Sequence, residues 1–340
     1  MYVAVEGCAH GALDEIYGAV QELERANGIK VDLLICCGDF QSTRDEHDLQ
    51  HMACPQKFRR MNSFPQYFSG EKEAPVLTVF VGGNHEASNY LYDMYYGGWV
   101  APNIYFLGHS GCINVGGIRI AGVSGIYKDY DFGKPLYERF PLSEKHCRSV
   151  YHMRSWECYK LAHLTGNVDV MISHDWPTIV TDKTEAVGDT DQLMRFKDHF
   201  ADQIKSASLG NPMTSKLLKW IRPAFWFSAH LHAKFASIIQ HADCSNIERP
   251  FIYPSHSVDR TTLEGYSSTR FLALDKCLPG KKFLQILNIN GQNDVESASE
   301  GVESSSIQFD YEWLTILRKT ASHMPTGKSD VWLFCRGGLH

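Results

Sequence analysis

The feature that most constrains this chain is a recurrence. Short apolar runs of strand length each end in side chains able to bind a metal or move a proton. The clearest is Pro75–Val81, followed at once by Gly82-Gly83-Asn84-His85-Glu86. The run reads as a buried strand, and the paired glycines as a sharp turn. Four further runs end the same way, in Cys8-Ala9-His10, Gly38-Asp39, Ser173-His174-Asp175 and His230-Leu231-His232. Strands of an open α/β sheet leave along one edge, where residues distant in sequence meet. The pattern therefore predicts an α/β fold with a site along that edge.

The intervening segments fit this class. Leu13–Ala26 places Leu13, Ile16, Tyr17, Val20 and Leu23 on one helical face, with Asn27-Gly28 as a stop. Tyr90–Tyr96 is a further helix. Asn103–Phe106, Cys112–Val115 and Ile118–Val123 alternate with glycine turns and predict a meander. Ser124–Arg154 is long and interleaves Tyr127, Tyr130, Phe132, Tyr137, Phe140 and Tyr151 with Lys128, Lys134, Arg139, Lys145, Arg148 and Arg154. A loop of that length is functional or disordered, and its aromatic content argues against disorder. Cys147–Leu164, Asp191–Ile204, Met213–Ile221 and Tyr311–Ser322 are expected to be helical. Phe271–Leu274 and Phe283–Ile289 are expected to pair across Pro279-Gly280. Asn290–Ser306, rich in Ser, Asn, Gly and Glu, reads as a linker.

Composition excludes more than it assigns. With 340 residues, 44% hydrophobic and 21% charged, the chain has ample material for a core. Its net charge of -6 argues against a broadly cationic nucleic-acid coat, so any RNA contact must use a local patch. The ten cysteines form no CxxC pair, and several lie inside apolar runs, a pattern that suits a reducing compartment. No window approaches a membrane span and no secretory leader is evident, so a soluble, intracellular protein without membrane partners is expected.

A divalent transition metal needs imidazole, thiolate or carboxylate donors that converge in space. The candidates are Cys8, His10, Asp39, Asn84, His174, His230 and His232, more than one ion requires. Two adjacent ions are the economical reading, with Asp39 bridging through its two oxygens. Such a pair can activate water and offset charge at a phosphoryl group. Singly, each residue has an ordinary role: Asp39 as a helix cap, Asn84 as a left-handed turn residue, Cys8 as a small core hydrophobe. Their ordered recurrence is what favours a metal centre. His47 and His51 stand four apart but lack a carboxylate motif and read as surface helix, as do His163, His199, His241 and His256 singly.

The ordered set Cys8-x-His10, Gly38-Asp39, Gly83-Asn84-His85-Glu86, His174 and Ala229-His230-x-His232 resembles the calcineurin-like metallophosphoesterases. That likeness implies a β-sandwich flanked by helices. It implies one ion on Cys8, His10, Asp39 and His232 and another on Asp39, Asn84, His174 and His230, with His85 as the general acid, oriented in part by Glu86. Cys8 replaces the usual Asp and Ala229 the usual Gly. Ser124-Gly-Ile-Tyr-Lys128, Tyr151-His-Met-Arg154, Ser173-His-Asp-Trp-Pro177, Thr269–Pro279 and Tyr311-Glu-Trp-Leu314 narrow the resemblance to the RNA lariat debranching enzymes, which carry cysteine at that position.

This resemblance implies a phosphodiesterase that hydrolyses the 2′–5′ bond at the branch point of excised intron lariat RNA. It implies a catalytic domain over 1–235 with a lariat-recognition insertion at 124–154, and a C-terminal domain over 236–340 packing on it. Tyr127, Lys128, Tyr130, Arg148 and Arg154 are the expected RNA contacts, because bases stack on rings while cations meet phosphates. The thiolate of Cys8, a softer donor than carboxylate, points to Fe(II) or Zn(II), with Mn(II) a further candidate. A monomer is expected, and the family likeness implies the nucleus, with passage to the cytoplasm left open. Two other readings compete: a general metallophosphoesterase acting on small phosphodiesters or phosphoproteins, and a branch-binding scaffold with a vestigial metal site.

Overall fold

In the computed structural model, residues 1–241, 265–290 and 306–324 are described. Parallel strands covered on both faces must be apolar throughout, and this is how the chain begins. β1 (Tyr2–Glu6), β2 (Leu33–Cys36) and β3 (Leu77–Phe80) run parallel, with β5 (Ile104–Phe106) parallel to β3. β4 (Gly98–Ala101) and β13 (Leu284–Asn288) close the edges antiparallel, giving the order β13-β1-β2-β3-β5-β4.

A second sheet contains β6 (Ser110–Val115), β7 (Ile118–Val123), β8 (Val170–Ser173), β9 (Ala186–Gly188), β10 (Phe225–Ser228), β11 (Phe235–Gln240), β12 (Ser268–Ala273) and β14 (Ile307–Phe309). Its order is β14-β6-β7-β8-β10-β12-β11-β9, with β7, β8, β10 and β12 parallel.

The two sheets pack face to face. Val3, Val5, Ile35, Val79 and Val81 of one meet Ile113, Ile120, Ile172, Phe227 and Leu272 of the other, all buried. Each fully buried side chain of this size contributes about 1.5–3 kcal/mol. Leu13–Asn27 covers the outside of the first sheet through Leu13, Ile16, Tyr17 and Val20 and ends on Gly28, whose φ of 63° only glycine adopts cheaply. Ser155–Leu161, Pro212–Ile221 and Tyr311–Thr320 supply the cover of the second sheet. This is the sandwich flanked by helices that the resemblance implied.

Several expectations need correction. The meander does not form: the chain changes sheets between Phe106 and Ser110, so β5 lies between β3 and β4 while β6 and β7 pair as a hairpin in the other sheet. Phe271–Leu274 and Phe283–Ile289 do not pair; β12 lies between β10 and β11, while β13 joins β1. Both runs are apolar, and strand propensity carries no record of the partner. Cys147–Leu164 is interrupted, with helix at Glu144–Cys147 and again at Ser155–Leu161. Asp191–Ile204 divides at Lys197 into Thr190–Phe196, Asp198–Phe200 and Ala201–Lys205. The strands β4, β9, β11 and β14 carry too few residues or too little apolar contrast to announce themselves. The described strands after residue 235 join both sheets. Most of the expected linker, residues 291–305, and His256 lie outside the described residues.

Candidate metal centre

Because β1, β2, β3, β8 and β10 are parallel within their sheets, their C-terminal exits line one edge of the sandwich. Four expected donors there hold a left-handed backbone: His10 (φ 46°), Asp39 (φ 48°), His230 (φ 59°) and His232 (φ 48°). That conformation costs non-glycine residues on the order of 1–3 kcal/mol and concentrates at functional sites. The loops are laced together, with the His10 amide donating to Asp39 O at 2.6 Å and the Ala229 amide to His174 O at 3.0 Å. Ala229 itself is not among the positive-φ positions, so alanine replaces glycine there without strain.

Cys8 Sγ, His10, Asp39 and His232 bring donor atoms within 4.8 Å of one another. His10 Nε2 lies 3.4 Å from His232 Nε2 and 3.7 Å from Asp39 Oδ2. On the other side of Asp39, His174 Nε2 is 3.2 Å from Oδ1 and 3.4 Å from Asn84 Oδ1, and the His230 ring is 5.0 Å from that of His174. These are the two groups the resemblance implied, with Asp39 in both.

The donor chemistry suits cations. His174 Nδ1 donates to Cys37 O at 2.8 Å, which turns Nε2 toward the oxygens of Asp39 and Asn84. Those three acceptors face one another, an arrangement that a proton or a cation reconciles. Burial opposes a charged His174, yet the charge of Asp39 and its hydrogen bond hold the pKa above its ordinary value; a bound cation would take that proton's place. Asp39 is held well below the usual carboxylate range although burial opposes it, by His174, His10 and His85. Burial lowers the pKa of His10 and His230 and brings that of His232 to about 4, leaving the neutral imidazoles that metals bind. Burial and Asp39 raise the Cys8 thiol, so loading a cation on its sulfur must release a proton. The residues fit a pair of divalent cations.

The glycines act differently from the expectation. Neither Gly82 nor Gly83 has a positive φ. Gly83 is required by close approach instead: a Cβ there would lie 2.3 Å from Asp39 Oδ1 and 2.7 Å from His174 Nε2. Asp39 Oδ1 accepts the amides of Asn84 and His85, both at 2.8 Å, which fixes the carboxylate. Glu86 does not reach toward His85 as expected. Its buried carboxylate accepts the amides of Phe40, Gln41 and Gly83, fastening the Asp39 loop to the Asn84 loop. Burial and the charge of Asp39 push its pKa up to about 7. The half-exposed imidazole of His85 stands beside His10, with ring centroids 5.4 Å apart.

The insertion is anchored at this centre. Ser124 Oγ accepts the Gly82 amide at 2.8 Å and donates to Gly108 O at 2.6 Å, the Gly125 amide donates to Gly82 O, and Asp175 accepts the Tyr127 amide. The sequence places Ser124 and Asp175 in motifs without showing that they clamp the insertion, because neither residue type signals that role.

Among the expected RNA contacts, Lys128 and Tyr130 are exposed, Tyr130 by 64%, and Tyr127 is half-buried. Arg148 is exposed and paired with Glu144 at 2.6 Å. Tyr130 and Arg148 line a cleft of about 480 Å³ with Lys134, Tyr137 and Lys145. Arg154 is the correction. It is 1% exposed, and its guanidinium donates to Glu138 at 2.7 Å, Asp131 O and Ser149 O. It holds the insertion together from inside.

His51, expected on a surface, is buried, and Asp45 and Asp48 do lie beside His47. Those carboxylates are already engaged: Asp48 by Arg44 and Asn89, and Asp45 as the cap of the helix Glu46–Gln50.

The calcineurin-like phosphoesterase family matches residues 1–234, and the C-terminal domain of lariat debranching enzymes matches residues 266–334. The lariat debranching enzyme of Arabidopsis thaliana is 45% identical over 325 residues, covering 96% of this chain and 70% of that protein. That of Homo sapiens is 47% identical over 320 residues, covering 94% of the chain and 54% of the relative. That of Drosophila pseudoobscura pseudoobscura is 45% identical over 347 residues, 98% of the chain, and the chain spans 62% of that relative's length.

Proposed function

The chain belongs to the lariat debranching enzyme family, within the calcineurin-like phosphoesterases, and on that premise we propose that it hydrolyses the 2′–5′ phosphodiester at the branch point of intron lariat RNA. The observation that carries the reading is the convergence of Cys8, His10, Asp39 and His232 on one point, with His174, Asn84 and His230 on the far side of Asp39. Divalent cations held by these residues would supply activation of water and neutralisation of charge on the phosphoryl group. Fe(II) or Zn(II) suits the Cys8 sulfur, and Mn(II) is a further candidate.

The protein's own groups do the rest. Two backbone amides hold Asp39, and Cys37 O orients His174. The half-exposed His85 donates a proton to the departing 2′ oxygen as the phosphorus–oxygen bond breaks. Water contributes hydroxyl to phosphorus, so the products are a free 2′-hydroxyl and a 5′-phosphate. Lys128 and Tyr130, exposed where the insertion leaves β7, offer a cation and a ring to unpaired RNA. Action in the nucleus belongs to the same proposal, because introns are excised there.

The test is metal-loaded protein given a synthetic branched RNA beside its linear 3′–5′ analogue. The proposal expects cleavage of the branch alone. Equal cleavage of both, or of neither, contradicts it.

A further inference from the structure

The five strand exits that build the metal centre have a sixth neighbour. β12 runs parallel to β10, with Ser228 opposite Ala273, so it leaves the second sheet along the same edge as His230 and His232. Its exit carries Asp275 and Lys276 back across the first sheet. The Cys8 amide donates to Asp275 O at 3.4 Å, the Cys277 amide donates to Cys8 O at 3.1 Å, and Cys8 and Lys276 form a parallel bridge. Gly7 makes the approach possible, since a Cβ there would lie 2.1 Å from Asp275 O. Paired positions in a sheet project to the same side, so Lys276 leaves the backbone on the side of the Cys8 thiol.

Lys276 is half-buried, and no carboxylate stands within ion-pair distance of it among the described residues. The neighbouring Asp275 pairs with Lys281 at 3.4 Å and caps the Lys276 amide. A half-buried lysine with no ion pair among the described residues, beside a centre built to bind phosphate esters, is a site for an anion. The parallel bridge with Cys8 places Lys276 on the Cys8 side of the centre. Lys128 stands exposed next to Tyr127, whose amide Asp175 accepts beside His174. Two lysines therefore flank the centre, one from the insertion and one from the segment after β12.

We propose that Lys276 binds a non-scissile phosphate of the branched RNA, one arm of the branch running past Cys8 while Lys128 meets another. This inference rests on the debranching reading and deepens it, since a branch nucleotide carries phosphates on more than one side. The ammonium is a point charge on a flexible stem and recognises phosphate without regard to sequence.

The experiment compares wild type, Lys276→Met and Lys276→Arg in the metal-loaded full chain. Each is assayed on branched RNA across a salt series and on bis(p-nitrophenyl) phosphate, which has no flanking phosphate. Lys276→Met is expected to lower kcat/KM for branched RNA, mainly through KM, by roughly tenfold more than for the diester. It should also reduce the salt slope by about 0.7. Lys276→Arg is expected to restore most of both. An unchanged RNA KM and salt slope overturns the inference, as does an equal loss on the two substrates or a fall in bound metal, each of which would make Lys276 a part of the metal centre. Wild type that cleaves the diester but not branched RNA overturns the debranching reading, and this inference with it.

Discussion

Replacing Gly83 by alanine probes the centre at its tightest point. The added Cβ would stand 2.3 Å from Asp39 Oδ1, 2.4 Å from Asp39 N and 2.7 Å from His174 Nε2, where ordinary contact begins at 3.4 Å. None of these atoms belongs to a free side-chain end. Asp39 is tied to the Asn84 and His85 amides, and His174 to Cys37 O. The loop and the carboxylate must part by about 1 Å, and a displacement of that size at a reacting centre costs on the order of 100-fold in rate. Weakening one charge-assisted bond to Asp39 costs about 1.5–3 kcal/mol as well. Gly82→Ala is the matched control, because its Cβ would meet nothing nearer than 3.5 Å. Metal per chain, measured by elemental analysis, and turnover of branched RNA should both collapse in Gly83→Ala and persist in Gly82→Ala. If the two variants keep the same metal content and rate, the claim that Asp39 and His174 share a ligand point through this glycine is refuted.

Other perturbations follow from the same geometry. His85→Asn should keep RNA binding and metal content while kcat falls by about 10²- to 10⁴-fold; an undiminished kcat removes His85 from proton transfer. Cys8→Asp should shift competitive metal binding toward harder ions such as Mg(II) and Mn(II), and an unchanged ranking counts against a Cys8 ligand. Arg154→Met leaves Glu138 buried without its partner, at a cost of about 3–5 kcal/mol. Protease should then cut within 133–149 while metal content holds, and full resistance contradicts the internal role assigned to Arg154. Burial would raise the pKa of Asp310 and Glu312, but hydrogen bonds, chiefly from Arg119 and Thr165, hold both low. Depressed carboxylates stabilise above their unfolded values near pH 4 and lose that stabilisation as pH falls further. Amide protection of Tyr311–Thr320 should therefore drop on acidification below about pH 4, and Arg119→Met should remove that pH dependence; identical profiles refute the anchor.

Much of the centre was legible because its donors follow apolar runs, and a run that ends in His, Asp or Cys marks a strand exit whatever its partners are. The seven candidate donors are readable in this way, and the helix Leu13–Asn27 is readable from its apolar spacing. What strand propensity does not encode is neighbour order. Phe271–Leu274 reads as a strand, but nothing in it says that β12 lies beside β10, and so the sequence alone does not bring Lys276 to the same edge. Arg154 shows a second limit. An arginine among aromatic residues reads as a ligand for RNA, and only its burial on Glu138 shows it is a brace. Gly83 shows a third, since a glycine needed for a turn and one needed for clearance look alike in sequence.

The central claim is that side chains from separate strand exits grip a pair of cations with Asp39 between them. Anomalous diffraction from crystals of the protein soaked in Mn(II) or Zn(II) tests it most directly. Two peaks that share Asp39 are expected, one also touching Cys8 and His10 and the other Asn84 and His174. A single peak away from Asp39, or none along this edge, would contradict it.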